Sequence, residues 1–203
     1  GQTVKFISAT RVYFADDQTA EPGAAYLTAS VAGAGLLTGW TDLGAIKDSK
    51  VTIEYTKEVK EVRSGIDGVL RATYIGTKTA NASFALDNYD YIAIGQVLGQ
   101  NTTNITVSST IVGKKLFVGE EEVVSKALLF VATSKLDSKE HHMYCKSADL
   151  SFVFEDDDEA VVIRVTAALR AFIASGRTLD CFWTHSFYEA NIWSFPTAPL
   201  VSN

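Results

Sequence analysis

From residue 51 to residue 63 hydrophobic and polar positions alternate. Val51, Ile53, Tyr55 and Val59 take odd positions, while Thr52, Glu54, Thr56, Glu58 and Lys60 take even ones. Successive side chains of an extended chain point to opposite faces, so this pattern predicts a half-buried strand with one mixed-charge face. The run stops at Ser64-Gly65, where the absence of a Cβ permits a sharp bend. A strand this long with a polar face is an unusual sheet edge to leave bare, because its unpaired amides template pairing with another chain. It suggests assembly more than catalysis.

The remaining pattern is also mostly of period two. Val4, Phe6, Ile7, Val12 and Phe14 predict a first strand over residues 4–14. Residues 16–39 follow without a clean period, and a loop of that length in a compact domain is usually either functional or mobile. Residues 40–46 read as extended, with a turn at Lys47-Asp48-Ser49. Two strands are predicted over residues 69–75 and 81–86, around a polar turn at 76–80. Residues 87–98 predict the one short helix, with Asp87 or Asn88 capping its exposed amides and Gly99 supplying a left-handed end. Residues 105–111 predict a strand, 112–118 fit neither period, and 123–133 are nearly continuous in apolar residues, as in a strand buried on both faces. Residues 144–154 and 160–172 predict a hairpin. In its second arm Val161, Ile163, Val165, Ala167 and Leu169 face one way, and Val162, Arg164, Thr166, Ala168 and Arg170 the other. The acidic run Glu155-Asp156-Asp157-Asp158-Glu159 forms its solvated tip.

Composition agrees with this. At 203 residues, 47% hydrophobic and 21% charged, the chain suits one folded domain with a real core. Thr, Ser, Val and Tyr are plentiful and Pro is scarce, which favours β structure. The expectation is an all-β fold of two packed antiparallel sheets, a sandwich or barrel with one flanking helix. It forms a single domain over residues 1–203, with a long loop at 16–39 and an aromatic tail at 176–203. The net charge of −6 and the lack of any Lys/Arg run beyond pairs such as Lys114-Lys115 argue against a protein that grips nucleic acid. A surface past which DNA slides, or simple solubility, fits equally well. Cys145 and Cys181 are expected as two reduced, buried thiols. No export signal is read at the N-terminus, the sequons at Asn81, Asn101 and Asn104 are chance matches, and no apolar run approaches the ~20 residues of a membrane span. Synthesis in the cytoplasm follows from that reading.

Candidate chemistry is sparse. His141-His142-x-x-Cys145 groups ligand-type residues, but adjacent strand residues face opposite ways and cannot easily share an ion. The acidic tip lacks the central Gly and distal Glu of a calcium loop. Gly33, Gly35 and Gly39 do not sit between a strand and a helix as a phosphate-cradling loop would. His185-Ser186 and Asp180 supply the letters of a triad without a nucleophile elbow, and Glu120-Glu121-Glu122 is a surface run. No catalytic, metal-binding or cofactor-binding residue is expected, and the chain does not read as an enzyme. Phe182, Trp183, Phe187, Tyr188, Trp193 and Phe195 in the tail are expected in a core or a subunit contact.

Residues 36–100 carry a resemblance. A W-x-x-L-G lead-in (Trp40, Leu43, Gly44), the charged strand ending at Arg63, Ser64-Gly65, a second strand over 69–77 and then SFALDNYDYIAIGQVLG together resemble the tail tube proteins of tailed bacteriophages. A looser all-β similarity extends to about residue 172. The resemblance implies a virion protein of the phage tail, made and assembled in the host cytoplasm. Six copies would form a ring, and rings would stack into a tube around a tape-measure protein, capped by a tail-terminator protein. Double-stranded DNA would pass only in transit, with no membrane and no cofactor. It implies ring-closing contacts at Val51, Ile53, Glu54, Tyr55, Lys57, Val59, Arg63, Arg71 and Tyr74, and ring-stacking contacts in the long loop at Pro22, Tyr26, Leu36 and Leu37. Residues 135–146 and the Trp-rich C-terminus do not match that pattern. Alternatives are another virion β protein, for tail completion or head decoration, and a small-molecule-binding β-barrel, against which the long loop counts. A hydrolase ranks third.

Overall fold

A computed structural model of the protein describes residues 11–22, 39–47, 50–88, 95, 99–120, 124–133, 140–156 and 161–187. Its strands are β1 (Arg11–Asp16), β2 (Thr41–Ile46), β3 (Thr52–Arg63), β4 (Leu70–Asn88), β5 (Asn101–Val107) and β6 (Thr110–Phe117). They continue as β7 (Val124–Thr133), β8 (Glu140–Asp156), β9 (Val161–Leu169), β10 (Phe172–Ile173), β11 (Asp180–Cys181) and β12 (Thr184–Phe187). The expected all-β class is what the structure shows: antiparallel sheets, one large and two small, consistent with a sandwich.

The large sheet runs β12-β8-β7-β1-β2-β4-β3, and β9 pairs with both β4 and β8. The pairing therefore passes in a circuit through β8, β7, β1, β2, β4 and β9, and the inward faces of these six strands share one core. Phe14, Leu86, Leu128, Phe130, Met143 and Ile163 are among its buried members. Phe84 of β4 meets Phe130 of β7 edge-on at 5.4 Å between ring centroids, the geometry that ring quadrupoles prefer. A second cluster, with Tyr13, Trp40, Leu129, Tyr144 and Phe172, covers the opposite face of β1, β7 and β8. The near-continuous apolar run in β7 is explained by these two clusters: residues 127–132 are buried whichever way they point. In β9, Ile163, Val165, Ala167 and Leu169 are buried and Arg164, Thr166 and Ala168 exposed, as the alternation predicts. Val161 and Val162 reverse it, ahead of the first residue that pairs with β4, Ile163.

Several expectations are corrected. The two strands around a turn at 76–80 are one strand, β4, of 19 residues. The Gly there marks a bulge: Lys57 opposes Lys78 and Val59 opposes Ile75, so Glu58 faces both Gly76 and Thr77. The hairpin turn after β3 takes its left-handed residue from Gly68 (φ 68°) and not from Gly65, and Gly68 N–H donates to Ser64 C=O at 2.9 Å. The single strand expected over 105–111 is broken by Ser108 and Ser109, both left-handed (φ 48° and 67°), into the β5–β6 hairpin. Two consecutive left-handed residues form the hairpin turn usually written by Asn-Gly, so a Ser-Ser pair hides it. Asp87 and Asn88 are the last two residues of β4. Gly95 is helical, Gly99 is left-handed as expected (φ 62°), and Gln100 N–H closes onto Gly95 C=O at 2.9 Å. The rest of the predicted helix, residues 4–10 of the first predicted strand, 23–38 of the long loop, the hairpin tip at 157–160 and the tail from 188 lie outside the described residues.

Phe130, with no exposed surface, is the sharpest probe of this core. Phe130→Ala is expected to cost about 3–5 kcal/mol in urea unfolding, whereas Val107→Ala on the exposed β5 is expected to stay within about 0.5 kcal/mol.

Candidate functional site

The alternation in β3 predicts burial of one face, but from Glu54 to Arg63 every residue of the strand is exposed. The reason lies in the partners. β9 covers the second edge of β4 only from Asn81 to Leu86, and below that β4 has only β3 beside it. The distal parts of β3 and β4 thus form a two-stranded arm, roughly 25 Å long at ~3.3 Å per residue, that leaves the core behind. The outer edge of β3 carries no other strand among the described residues.

The register assigns the faces. Ile53–Ala82, Tyr55–Ala80, Lys57–Lys78, Val59–Ile75, Glu61–Thr73 and Arg63–Leu70 are paired on one, and Glu54–Asn81, Thr56–Thr79, Lys60–Tyr74 and Val62–Ala72 on the other. Lys57 and Lys78 stand directly opposite, an arrangement of like charges that weakens an isolated ribbon. The ion pairs Arg63–Glu61 (2.7 Å), Arg71–Asp67 (3.4 Å) and Lys60–Glu58 (4.0 Å) are all exposed and contribute at most ~1 kcal/mol each. The turn is better built. Asp67 Oδ1 accepts the Val69 N–H at 3.0 Å, and this bond, then one to Ser64, holds its carboxyl below the usual range. Beside it Ile66 is fully exposed. A lone ribbon of two strands is marginally stable in water, and this one bears exposed Val59, Val62, Leu70, Tyr74 and Ile75.

The sequence-predicted contacts divide accordingly. Glu54, Lys57, Val59, Arg63, Arg71 and Tyr74 are brought together on the arm. Val51 and Ile53 instead pack against the main core and anchor its base. Tyr55 is half committed, its ring 5.9 Å from Phe182 of the same chain. Pro22 lies beside a concavity that also involves Tyr144 and Phe172; Tyr26, Leu36 and Leu37 lie outside the described residues. The tail aromatics Phe182 and Trp183 pack on the core. Sequence reading missed the β5–β6 hairpin, where Ile105, Val107, Ile111 and Val112 are exposed, although its apolar side chains were visible as a run.

The chemically suggestive residues form a packed seam. β12 pairs with β8, setting His185 opposite Met143, Ser186 opposite His142 and Phe187 opposite His141, so His141 and His185 meet on one face while His142 faces the other. His141 lies 5.7 Å from His185 and 4.8 Å from Phe187, and His185 stacks on Phe187 at 4.2 Å. Burial, with the neighbouring His141, pushes the His185 imidazole down to about 4. Glu21 is shifted the other way, upward, by partial burial against a hydrogen bond to Thr184 and the nearby His142, although much of the residue still meets solvent. Cys145 and Cys181 are both free, and burial pushes the Cys145 thiol up to about 12, which leaves it inert. Among the described residues no three His, Cys, Asp or Glu side chains are grouped to hold a metal ion, and no helix is long and apolar enough to cross a membrane.

No protein-family model matches the chain, and no curated protein matches it.

The histidine seam sets an acid limit on stability. Because folding lowers the His185 pKa from 6.5 to about 4, the folded state carries no penalty above about pH 6.5, loses stability as pH falls from there, and levels off below about 4. Glu21, raised on folding, opposes part of this. His185→Gln is therefore expected to lose less urea stability than the parent between pH 7 and pH 4.5; equal losses would show that the seam does not feel the proton.

Proposed function

We propose that the chain is a structural subunit that polymerises through the β3–β4 arm, as a subunit of a bacteriophage tail tube. The observation that carries the reading is an arm exposed on both faces, open along β3 among the described residues, and weakly braced. Pairing its edge with a neighbouring copy removes the bare amides and buries the apolar side chains. Where the edge joins a different surface of the neighbour, such contacts generate rings when the rotation closes. On this reading six copies form the ring, rings stack into a tube around a tape-measure protein under a tail-terminator protein, DNA crosses only in transit, and the protein resides in the virion tail. The resemblance of residues 36–100 to tail tube proteins supplies the six-fold ring and the tube; the arm supplies the physical reason to assemble.

A ligand-binding barrel is disfavoured by the middle of the molecule, where Phe84 and Phe130 meet in ring contact and Leu86, Leu128 and Ile163 have no exposed surface.

Negative-stain electron microscopy and light-scattering mass across a concentration series test the reading, with rings or hollow tubes expected. Val59 is exposed and makes no core contact, so Val59→Asp is expected to leave a folded monomer that no longer assembles, and Glu54→Lys to weaken assembly. Tyr55→Asp is a poorer probe because it also removes the contact with Phe182. Normal tubes from both Val59→Asp and Glu54→Lys would remove the arm from the interface.

A further inference from the structure

A cleft of about 310 Å³ opens on the outer face of the sheet, where the turn after β2 meets β3, β4 and β9. Lys47, Lys50 and Arg164 line it together with the hydroxyl residues Thr52, Ser83 and Thr166. The hydroxyls are neighbours by register: Thr52 stands opposite Ser83, and Ser83 opposite Thr166. Arg164 lies two residues along β9 on the same face, opposite Ala85. The turn brings its lysines back over the sheet, Lys50 N–H donating to Lys47 C=O at 3.3 Å.

The charge of this cleft runs against that of the chain. The sequence holds 24 acidic and 18 basic residues, yet the described lining contains three cations and no carboxylate. Asp48, between the two lysines in sequence, lies outside the described residues. Among the described residues Glu155 reaches the rim, where Arg164 Nε donates to it in an exposed pair. Hydroxyls and cations together form a donor set for oxygen anions. Width narrows the class. Three strands at ~4.8 Å spacing place the outer hydroxyls roughly 10 Å apart, wider than one tetrahedral anion.

We propose that this cleft binds a ligand bearing two or more adjacent phosphate groups, along the Thr52–Ser83–Thr166 row and between Lys50 and Arg164. The inference stands apart from the assembly reading, since the cleft lies at the base of the arm and beside the core. The phosphates have two possible sources, a small polyphosphate or the backbone of a nucleic acid, and both present the same chemistry here.

Isothermal titration of the full chain with tripolyphosphate, and separately with a short DNA duplex, tests the proposal against sodium chloride of equal ionic strength. Saturable binding to tripolyphosphate is expected, about tenfold weaker in Lys50→Gln, as loss of one charge-assisted contact implies. Glu155→Gln is expected to tighten it several-fold by releasing Arg164 from a competing carboxylate. Both positions are exposed, so circular dichroism should show unchanged folding. If the duplex binds with the same dependence on Lys50 and displaces tripolyphosphate, the backbone is the source; if only tripolyphosphate does so, the source is small. Heat no different from that of chloride, or affinity unchanged in both Lys50→Gln and Glu155→Gln, would overturn the site.

Discussion

Strand β9 is hydrogen-bonded along both edges, to β4 from Ile163 to Ala168 and to β8 from Val161 to Leu169, and this double pairing holds the fold together. Without it the strand order would be a single open path from β12 to β3. With it, six strands enclose one core, and β4 and β8 are clamped at fixed points along their length. Backbone amides and carbonyls that would otherwise be bare edges are satisfied where the core needs them to be.

The same clamp defines where the core stops. β4 is a single strand, but β9 holds it only from Asn81 onward, so its two halves have different fates. Near the clamp its inward side chains, Ala80, Ala82, Phe84 and Leu86, are buried. Beyond it the strand keeps β3 as its one described partner, and the pair runs out into solvent with apolar residues on both faces. A protein that exposes such an arm either hides it in a partner or risks aggregation. Like charges such as the opposed Lys57 and Lys78 cost stability in isolation, and in the proposed assembly a partner's carboxylates would answer them.

Away from the arm, polar chemistry is divided between a dry seam and a wet cleft. The histidines sit where β8 pairs with β12, among aromatic rings, and burial there disfavours the charged form of His185. Lys50, Arg164 and their hydroxyl neighbours stay at the surface, where charge costs little and a ligand has access. Reactive residue types thus lie in packing, and the cleft proposed to bind phosphates is made of ordinary residues that the register aligns.

Some of this was legible in the chain. The alternation of β9, the apolar run of β7, the all-β class and the left-handed Gly99 are local matters of period and backbone conformation, and local sequence determines them. Where β3 is concerned, the alternation identified a strand but misjudged its burial, because burial depends on whether a third strand reaches it, and β9 does not. Gly76 looked like a turn and is a bulge, since only a partner strand turns an extra residue into one. The hydroxyl row and the meeting of Lys47 and Lys50 with Arg164 had no trace in the sequence, which showed only scattered cations. Period and turn chemistry act between neighbours along the chain and so were written there; edges, faces and the cleft arise from pairing between residues far apart, and only the tertiary structure decided them.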